Sequence, residues 1–484
     1  MTHIAIIGAG ISGLSTAWNL KNLDPSLVLS IFEESQVGGI IQSTSDDGIR
    51  CEAGPHGFLN RHPSTFKLIE ELHLEDEILV ADDKCRRRFI LKDRNLYAFP
   101  SDPLQLLTTP LLSKKAKLRL LLEPILAATP LDDDQDLATF FTSRLGEDVT
   151  QNLIDPLVRG IYGGSLRQLS VDAALPFLTT LIQRKQSLLD FAWKTYRQKL
   201  CTGSRHTMHN KLISFKRGTT TLIHALHEQL KDSLYTGNKV LAVEKRAGNF
   251  RLHMQQGHKT TEIPADIVVS AVPAKLSASF LGHLHPLLLR ALTGISNLPM
   301  ATVTLGYTHQ HIGHPLEGFG YLVPSQEHLP ILGVLWVHRM FPEARCPHDM
   351  ALLQTIISLQ NFSHSETSEE HLFQITKKHL QDVLNISEAP LFKRVFRHEH
   401  GISQYTLGHK ERLTHINEAL RVIPGLFVAG QSFRGIGINA CTTDAMVVAK
   451  DILKYLAERP KRQRQRKVNY SKTTSSSFLH SSSP

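Results

Sequence analysis

Three glycines near the start of the chain carry the clearest chemistry. Gly8, Gly10 and Gly13 follow the run Thr2-His3-Ile4-Ala5-Ile6-Ile7 at the spacing GxGxxG. That spacing suits a dinucleotide. The first glycine permits a tight turn, the second lets backbone approach a pyrophosphate, and the third lets a helix pack close to a strand. Ile11 and Ser12 open the helix whose N-terminus would receive the phosphates. Glu33 stands 20 residues beyond Gly13, closing the apolar run Leu27 to Phe32. A carboxylate there accepts from ribose hydroxyls. Glu34 competes for the role. An acidic group at this point repels a 2′-phosphate, which disfavours NADP. Gly38-Gly39 lets backbone run against a bulky ligand. Spacing alone leaves NAD and FAD both open.

These residues need a strand–helix–strand unit to hold them. Ile11, Leu14, Trp18 and Leu20 give the helix its apolar stripe, and Asp24-Pro25-Ser26 turns the chain into the second strand. A helix is expected over 65–80. The stretch 103–210 is rich in helical patterns, at 113–128, 136–146 and 180–199. Strands are expected at 212–216, 239–245, 249–254 and 266–272, and a mixed sheet over 300–338. Residues 350–358 and 370–384 read as helices. Near the C-terminus, Leu426 to Gly430 is a buried-type strand. Gly435-Ile436-Gly437 turns it into a helix over 440–459. If these return to the first sheet, Gly430, Gly437 and Ile438 bring a second helix N-terminus to the ligand. A flavin needs such added surface along its length.

Composition narrows the class. The chain has 484 residues and a net charge of +9. Seven basic residues and no acidic ones lie from Arg459 onward, which leaves 47 basic against 45 acidic residues in the body, or +2. A specific nucleic-acid-binding core is therefore not expected. The tail 459–484, basic and then Ser-rich, is expected to be disordered. Five scattered cysteines form no CxxC pair, so neither a disulfide framework nor a zinc ribbon is expected. No apolar run is long enough to span a membrane, and a strand run begins at once, so no signal peptide is expected. His309, His311 and His314 have a metal-like spacing but sit at a polar strand end, and no metal is expected.

Longer segments carry a resemblance. They are Gly8 to Leu14, Gly38-Gly39, Gly54 to Leu59, Arg159 to Gly164, Phe215 to Gly218, Gly318 to Pro324, Gln404 to His409 and Leu426 to Cys441. Over roughly residues 3–457 the chain resembles the protoporphyrinogen/coproporphyrinogen oxidases, FAD enzymes of the amine-oxidase-like flavoprotein superfamily. The resemblance implies an α/β fold with α+β parts. Its parts would be a Rossmann-type FAD-binding domain (1–84, 206–272 and 400–458), a mostly helical inserted domain (85–205) and a mixed-sheet substrate domain (273–399). It implies FAD as cofactor and a six-electron oxidation of a porphyrinogen. Dioxygen would reoxidise the flavin and give hydrogen peroxide. The substrate expected first is protoporphyrinogen IX, with coproporphyrinogen III as the alternative. An amine oxidase or polyene desaturase on the same scaffold is the competing class.

A porphyrinogen is a flat apolar ring with carboxylate arms. Arg88 resembles the family arginine that meets a substrate carboxylate, a task suited to its bidentate fork. Its neighbours Arg86 and Arg87 compete for that assignment. Gly160 resembles the position where backbone passes close to the ring. Phe319 and Leu322 are expected as slot walls, and Val240 as a position whose backbone meets the adenine end. No acid–base residue is assigned, since positioning and electrostatics carry much of a hydride transfer to flavin. The expected location is the cytoplasm. Peripheral contact with the cytoplasmic face of a membrane and a homodimer are both left open.

Overall fold

The strand His3–Ile7 is buried on both faces, as an unbroken apolar run requires of a central parallel strand. It pairs in parallel with Val28–Glu33 on one side and Ile267–Ser270 on the other, with Ile6 beside Ile31 and Val269. Leu234–Thr236 and Leu426–Val428 complete a five-stranded parallel sheet. Three distant parts of the chain thus build one sheet. Helix Ile11–Leu23 is buried at every residue from Ile11 to Leu20. Helices Thr220–Leu230 and Ile438–Ser477 both pack on it.

The computed structural model describes the chain apart from residues 61, 127–133, 184–185, 202–210, 247, 343, 364 and 478–484, and describes no side chain at 126, 182–183, 199–201 or 459–477. Of the tail expected to be disordered over 459–484, residues 459–477 continue helix Ile438–Ser477, and 478–484 lie outside the described residues. Among those described, no helix is long and apolar enough to cross a membrane.

A seven-stranded mixed sheet forms the second layer. Its order is Phe392–Ser403, Asn297–Thr308, Met350–Ser358, Ile331–Trp336, Gly320–Leu322, Arg88–Lys92, Asn95–Ala98. All neighbours are antiparallel except Gly320–Leu322 with Arg88–Lys92, which run parallel with Gly320 opposite Arg88. Helix Glu369–Leu384 covers one face through Leu372, Leu380 and Leu384. A three-stranded antiparallel sheet, Lys239–Arg246, Asn249–Gln256 and Lys259–Ala265, packs beside the parallel sheet.

Between 103 and 201 the described chain is helical. Leu137–Leu145, Glu147–Val149 and Asp155–Tyr162 follow one another, the last two joined by a π-helical turn at Thr150–Ile154. Leu137, Phe140, Val149, Leu153, Val158 and Tyr162 share one core. The overall architecture is therefore mixed α/β with distinct helical and sheet regions.

Four elements depart from the sequence reading. Residues 350–358, read as a helix, are a strand. A nine-residue apolar run fits either state, and burial between two strands decides it. The helix expected over 65–80 spans only Pro63–Glu71, because His73 turns into the left-handed region at φ 54°. The single helix over 180–199 is two, Pro176–Gln183 and Leu188–Cys201. Finally, Arg88–Lys92 and Asn95–Ala98 lie inside the range expected to be helical but join the seven-stranded sheet. Ile90 and Leu91 are fully buried there.

Candidate functional site

The turn after the first strand shows three glycines with three different surroundings. Gly8 sits at φ +100°, and a Cβ there would lie 2.6 Å from Val272. A Cβ on Gly13 would lie 1.9 Å from the Gly8 carbonyl oxygen, so this glycine sets the helix against the strand. A Cβ on Gly10 would meet nothing within 4 Å. It would point into a cavity of about 700 Å³.

That cavity gathers most of the expected cofactor residues. Gly10, Ile11, Ser12, Gly38, Gly39, Gly430, Gly437 and Ile438 all line it. The Gly38 N–H donates to the Ala9 carbonyl at 2.9 Å, which folds the Gly38-Gly39 turn against Gly10. A Cβ on Gly437 would also meet open space. Helices Ile11–Leu23 and Ile438–Ser477 both begin on this wall. Unpaired N–H groups and the partial positive charge of two helix ends favour an anionic ligand section here.

Five of the expected cofactor residues lie elsewhere. Gly8 and Gly13 are packing positions behind the wall. Glu33 closes its strand, where its carboxylate accepts from the Ala9 N–H at 2.8 Å and the Ser35 N–H at 2.9 Å. It therefore props the glycine turn directly. Glu34 points to solvent and pairs with Lys239 at 2.7 Å. Val240 is buried in the neighbouring antiparallel sheet, next to a bulge where the register shifts between Val240 and Ala242.

The sequence reading missed the rim of this cavity. Residues Val395 to His400, from the edge strand of the seven-stranded sheet, form one side of it. His398 Nε2 bonds the Ala53 carbonyl at 2.8 Å, which ties that strand to the loop before Pro55. The rim precedes the Gln404–His409 segment in sequence.

The Gln404–His409 segment works from behind. The Tyr405 hydroxyl donates to the Gln431 carbonyl at 2.6 Å and accepts from the Gly435 N–H at 2.6 Å. It thereby clamps the loop that carries Gly430 and Gly437. Asp444 accepts from the Gly430 N–H at 2.8 Å and pairs with Arg434. Burial pushes the Tyr405 phenol well above its ordinary range, so it stays a donor. His409 stacks on Tyr405 with centroids 4.2 Å apart. Burial pushes its imidazole down to about 4, which keeps it neutral.

A second cavity, of about 280 Å³, brings together Arg88, Gly160, Phe319 and Leu322. It is an apolar slot between helix Asp155–Tyr162 and the strands Gly320–Leu322 and Ile331–Trp336. Leu157, Ile161, Leu332, Leu335 and Ile356 supply the rest of its apolar wall. Arg88 lies over the Phe319 ring at 5.1 Å. A Cβ on Gly160 would lie 2.7 Å from Leu322, so the glycine admits the Leu322 side chain as well as keeping the helix backbone bare. Tyr321 turns its hydroxyl away from the slot, to His379 Nε2 at 2.9 Å. The two cavities share a sheet. Ile402, two residues past His400, packs on the same small cluster as Leu332 and Ile356.

Among the described residues no group of three or more His, Cys, Asp or Glu side chains is placed to share a metal ion. His309 packs edge-on to His338, and His314 lies against Phe89 and Trp336.

Comparison with known proteins identifies the family. The model of the family "Flavin containing amine oxidoreductase" matches residues 11–453. Coproporphyrinogen III oxidase of Bacillus subtilis is 30% identical, over 94% of this chain and 98% of its own. Protoporphyrinogen oxidase of Bos taurus is also 30% identical, over 93% of this chain and 98% of its own. The chain belongs to the protoporphyrinogen/coproporphyrinogen oxidase branch of the FAD-dependent amine-oxidase superfamily. It is accordingly an FAD-dependent oxidoreductase. A solved structure from Exiguobacterium sp. 255-15 shares the fold with a TM-score of 0.79 at 24% identity, covering 93% of this chain and 98% of that one.

Proposed function

We propose that the protein oxidises coproporphyrinogen III to coproporphyrin III, with FAD as cofactor and dioxygen as acceptor. The observation that carries the reading is the apolar slot with one guanidinium, Arg88, at its edge that has no ion pair among the described residues. It matches a flat apolar ring with carboxylate arms. Amines would call for acidic walls, and no Asp or Glu lines this slot. The relatives from Bacillus subtilis and Staphylococcus aureus, at 30% and 27% identity, bear the coproporphyrinogen name and span at least 93% of the chain. They favour that substrate over the protoporphyrinogen IX first expected.

FAD fits the larger cavity. Gly10, Gly39 and Gly437 leave its wall bare, and the two helix ends supply donors for a pyrophosphate. Glu33 holds the glycine turn, leaving lone pairs for a ribose hydroxyl. Bound FAD supplies hydride acceptance and passes electrons to dioxygen. Overall, six hydrogens leave the porphyrinogen, and three dioxygen molecules become three hydrogen peroxide. Arg88 anchors one substrate carboxylate. Leu157, Phe319 and Leu322 exclude water and hold the ring flat.

Anaerobic addition of coproporphyrinogen III to the yellow holoprotein tests the reading. Rapid bleaching, porphyrin fluorescence and peroxide after air are expected. Bleaching only by an amine or a polyene would overturn it.

A further inference from the structure

The slot ends on Arg88, and Arg88 also lines a neighbouring cavity of about 890 Å³. The cationic wall of that cavity is the run Arg86-Arg87-Arg88, and no Asp or Glu lines it. Arg86 is already committed, since its guanidinium donates to Asp83 at 2.7 Å. The guanidinium groups of Arg87 and Arg88 have no ion pair or hydrogen bond among the described residues. Their backbone is nonetheless fixed. The Arg87 carbonyl accepts from the Phe319 N–H at 2.7 Å, and the Arg88 carbonyl from the Phe99 N–H at 2.8 Å. Both side chains therefore hang from sheet-bonded backbone and not from a loose loop. Ser101, Gln105 and Thr108 add polar groups to the cavity wall.

Both guanidinium groups are exposed on the wall of this cavity, and a carboxylate meeting either one gains charge-assisted hydrogen bonds. Arg88 alone serves the apolar slot. Arg87 faces only the outer cavity. We propose that Arg87 is a second carboxylate subsite that sets substrate choice. On this assignment Arg88 meets an acidic arm that both porphyrinogens carry. Arg87 meets an arm on the next edge of the ring, which a tetracarboxylate has and a dicarboxylate lacks. The inference rests on the reading of the slot as a porphyrinogen site.

The test uses full-length holoprotein with Arg87→Gln and Arg87→Lys. Binding of the products, coproporphyrin III and protoporphyrin IX, is titrated by fluorescence alongside turnover of the two porphyrinogens. The expected result for Arg87→Gln is about a tenfold rise in Kd for coproporphyrin III and in KM for its porphyrinogen, with kcat retained. Both values for the protoporphyrin pair should stay put. Arg87→Lys should fall between, since it keeps the charge and loses the fork. Equal changes for the two macrocycles, or none, would overturn the subsite. So would failure of the parent protein to bind either porphyrin. Binding without turnover of either porphyrinogen would instead sink the proposed reaction, while the Kd comparison still judges Arg87.

Discussion

The two inner glycines of the turn make opposite predictions, and one pair of variants tests the cofactor cavity. Gly10 is the N-cap of helix Ile11–Leu23, with φ −74° and ψ 179°, and no side chain caps that helix. Any residue adopts this conformation, and an added Cβ meets open space. Gly10→Asp should therefore leave the apoprotein intact. A carboxylate at an N-cap adds a few tenths of a kcal/mol by capping and about 0.5 kcal/mol from the helix dipole. The same carboxylate fills the pyrophosphate approach with negative charge, so FAD binding should be lost. At a hundredfold excess over Kd, ligand binding stabilises by about 2.7 kcal/mol. At roughly 1 °C per kcal/mol for a chain of 484 residues, loss of FAD should lower the melting temperature in excess FAD by about 3 °C. Gly13→Ala should do the reverse. Its Cβ would lie 1.9 Å from the Gly8 carbonyl oxygen, which is backbone and cannot swing aside. The helix must lift, at an overpacking cost near the upper end of about 1–3 kcal/mol, with or without FAD. Thermal melts of apo and FAD-loaded protein, with flavin absorbance, read both. A yellow Gly10→Asp protein with parental FAD affinity would refute the placement, and an apoprotein as unstable as that of Gly13→Ala would refute the packing argument.

Three further outcomes follow from buried polar groups. Arg345 and Glu52 face each other at 3.7 Å with no exposed side-chain surface, and Glu52 also accepts from Ser43 and Thr219. Arg345→Met leaves that carboxylate unpaired and should cost about 3–5 kcal/mol in urea melts, most of it recovered by adding Glu52→Gln. His56 and His338 are pushed down to about 3, and His379 and His409 to about 4, in each case chiefly by burial. Their folded values lie below the ordinary 6.5, so their contribution is complete above pH 6.5 and is lost as pH falls towards 4. Each costs about 2 kcal/mol by pH 5. The melting temperature should therefore drop steeply between pH 6.5 and 5, and a flat profile would count against buried neutral imidazoles. Tyr405→Phe removes both bonds to the Gly430–Gly437 loop. It should cost about 1–3 kcal/mol and weaken FAD binding, measured by flavin release on dilution; unchanged retention would mean the clamp is dispensable.

Legibility in the sequence followed the distance between partners. The Gly8–Gly13 turn, its helix and Glu33 lie within one local segment, so their arrangement could be read. The strands Ile267–Ser270 and Leu426–Val428 were visible as apolar runs with turn residues behind them. Met350–Ser358 was misread because its state depends on neighbours about 50 and 20 residues away. The His398–His400 rim was missed for a similar reason, since its role comes from an edge strand meeting a turn near residue 55. The Arg345–Glu52 pair bridges nearly 300 residues and leaves no local trace. Gly160 shows a subtler limit. The absent Cβ was expected to make room for a ring, and in the structure it also admits the Leu322 side chain beside the slot.

The slot also explains why no acid–base residue could be named from sequence. Arg88 and Tyr321 are its only titratable lining residues. Tyr321 is fully desolvated, its phenol is pushed well above the ordinary range, and its hydroxyl is spent on His379 outside the slot. The Arg88 guanidinium presents hydrogen-bond donors and no acceptor. On the proposed reading, no side chain lining the slot accepts or delivers a proton at the ring, so the slot's part in the chemistry is positional. The sheet is built for that. Gly320–Leu322 is held between Arg88–Lys92 and Ile331–Trp336, and a Cβ on Gly320 would lie 2.0 Å from the Val334 carbonyl oxygen. The strand bearing the slot wall therefore cannot shift without breaking pairings on both sides. Strand Phe392–Ser403 of the same sheet lines the cavity beside Gly10. On the proposed reading, the anchor for the substrate's carboxylate and the rim of the cofactor cavity are thus parts of one hydrogen-bonded object. Their separation is set by strand spacing, which is what a hydride transfer governed by orientation requires.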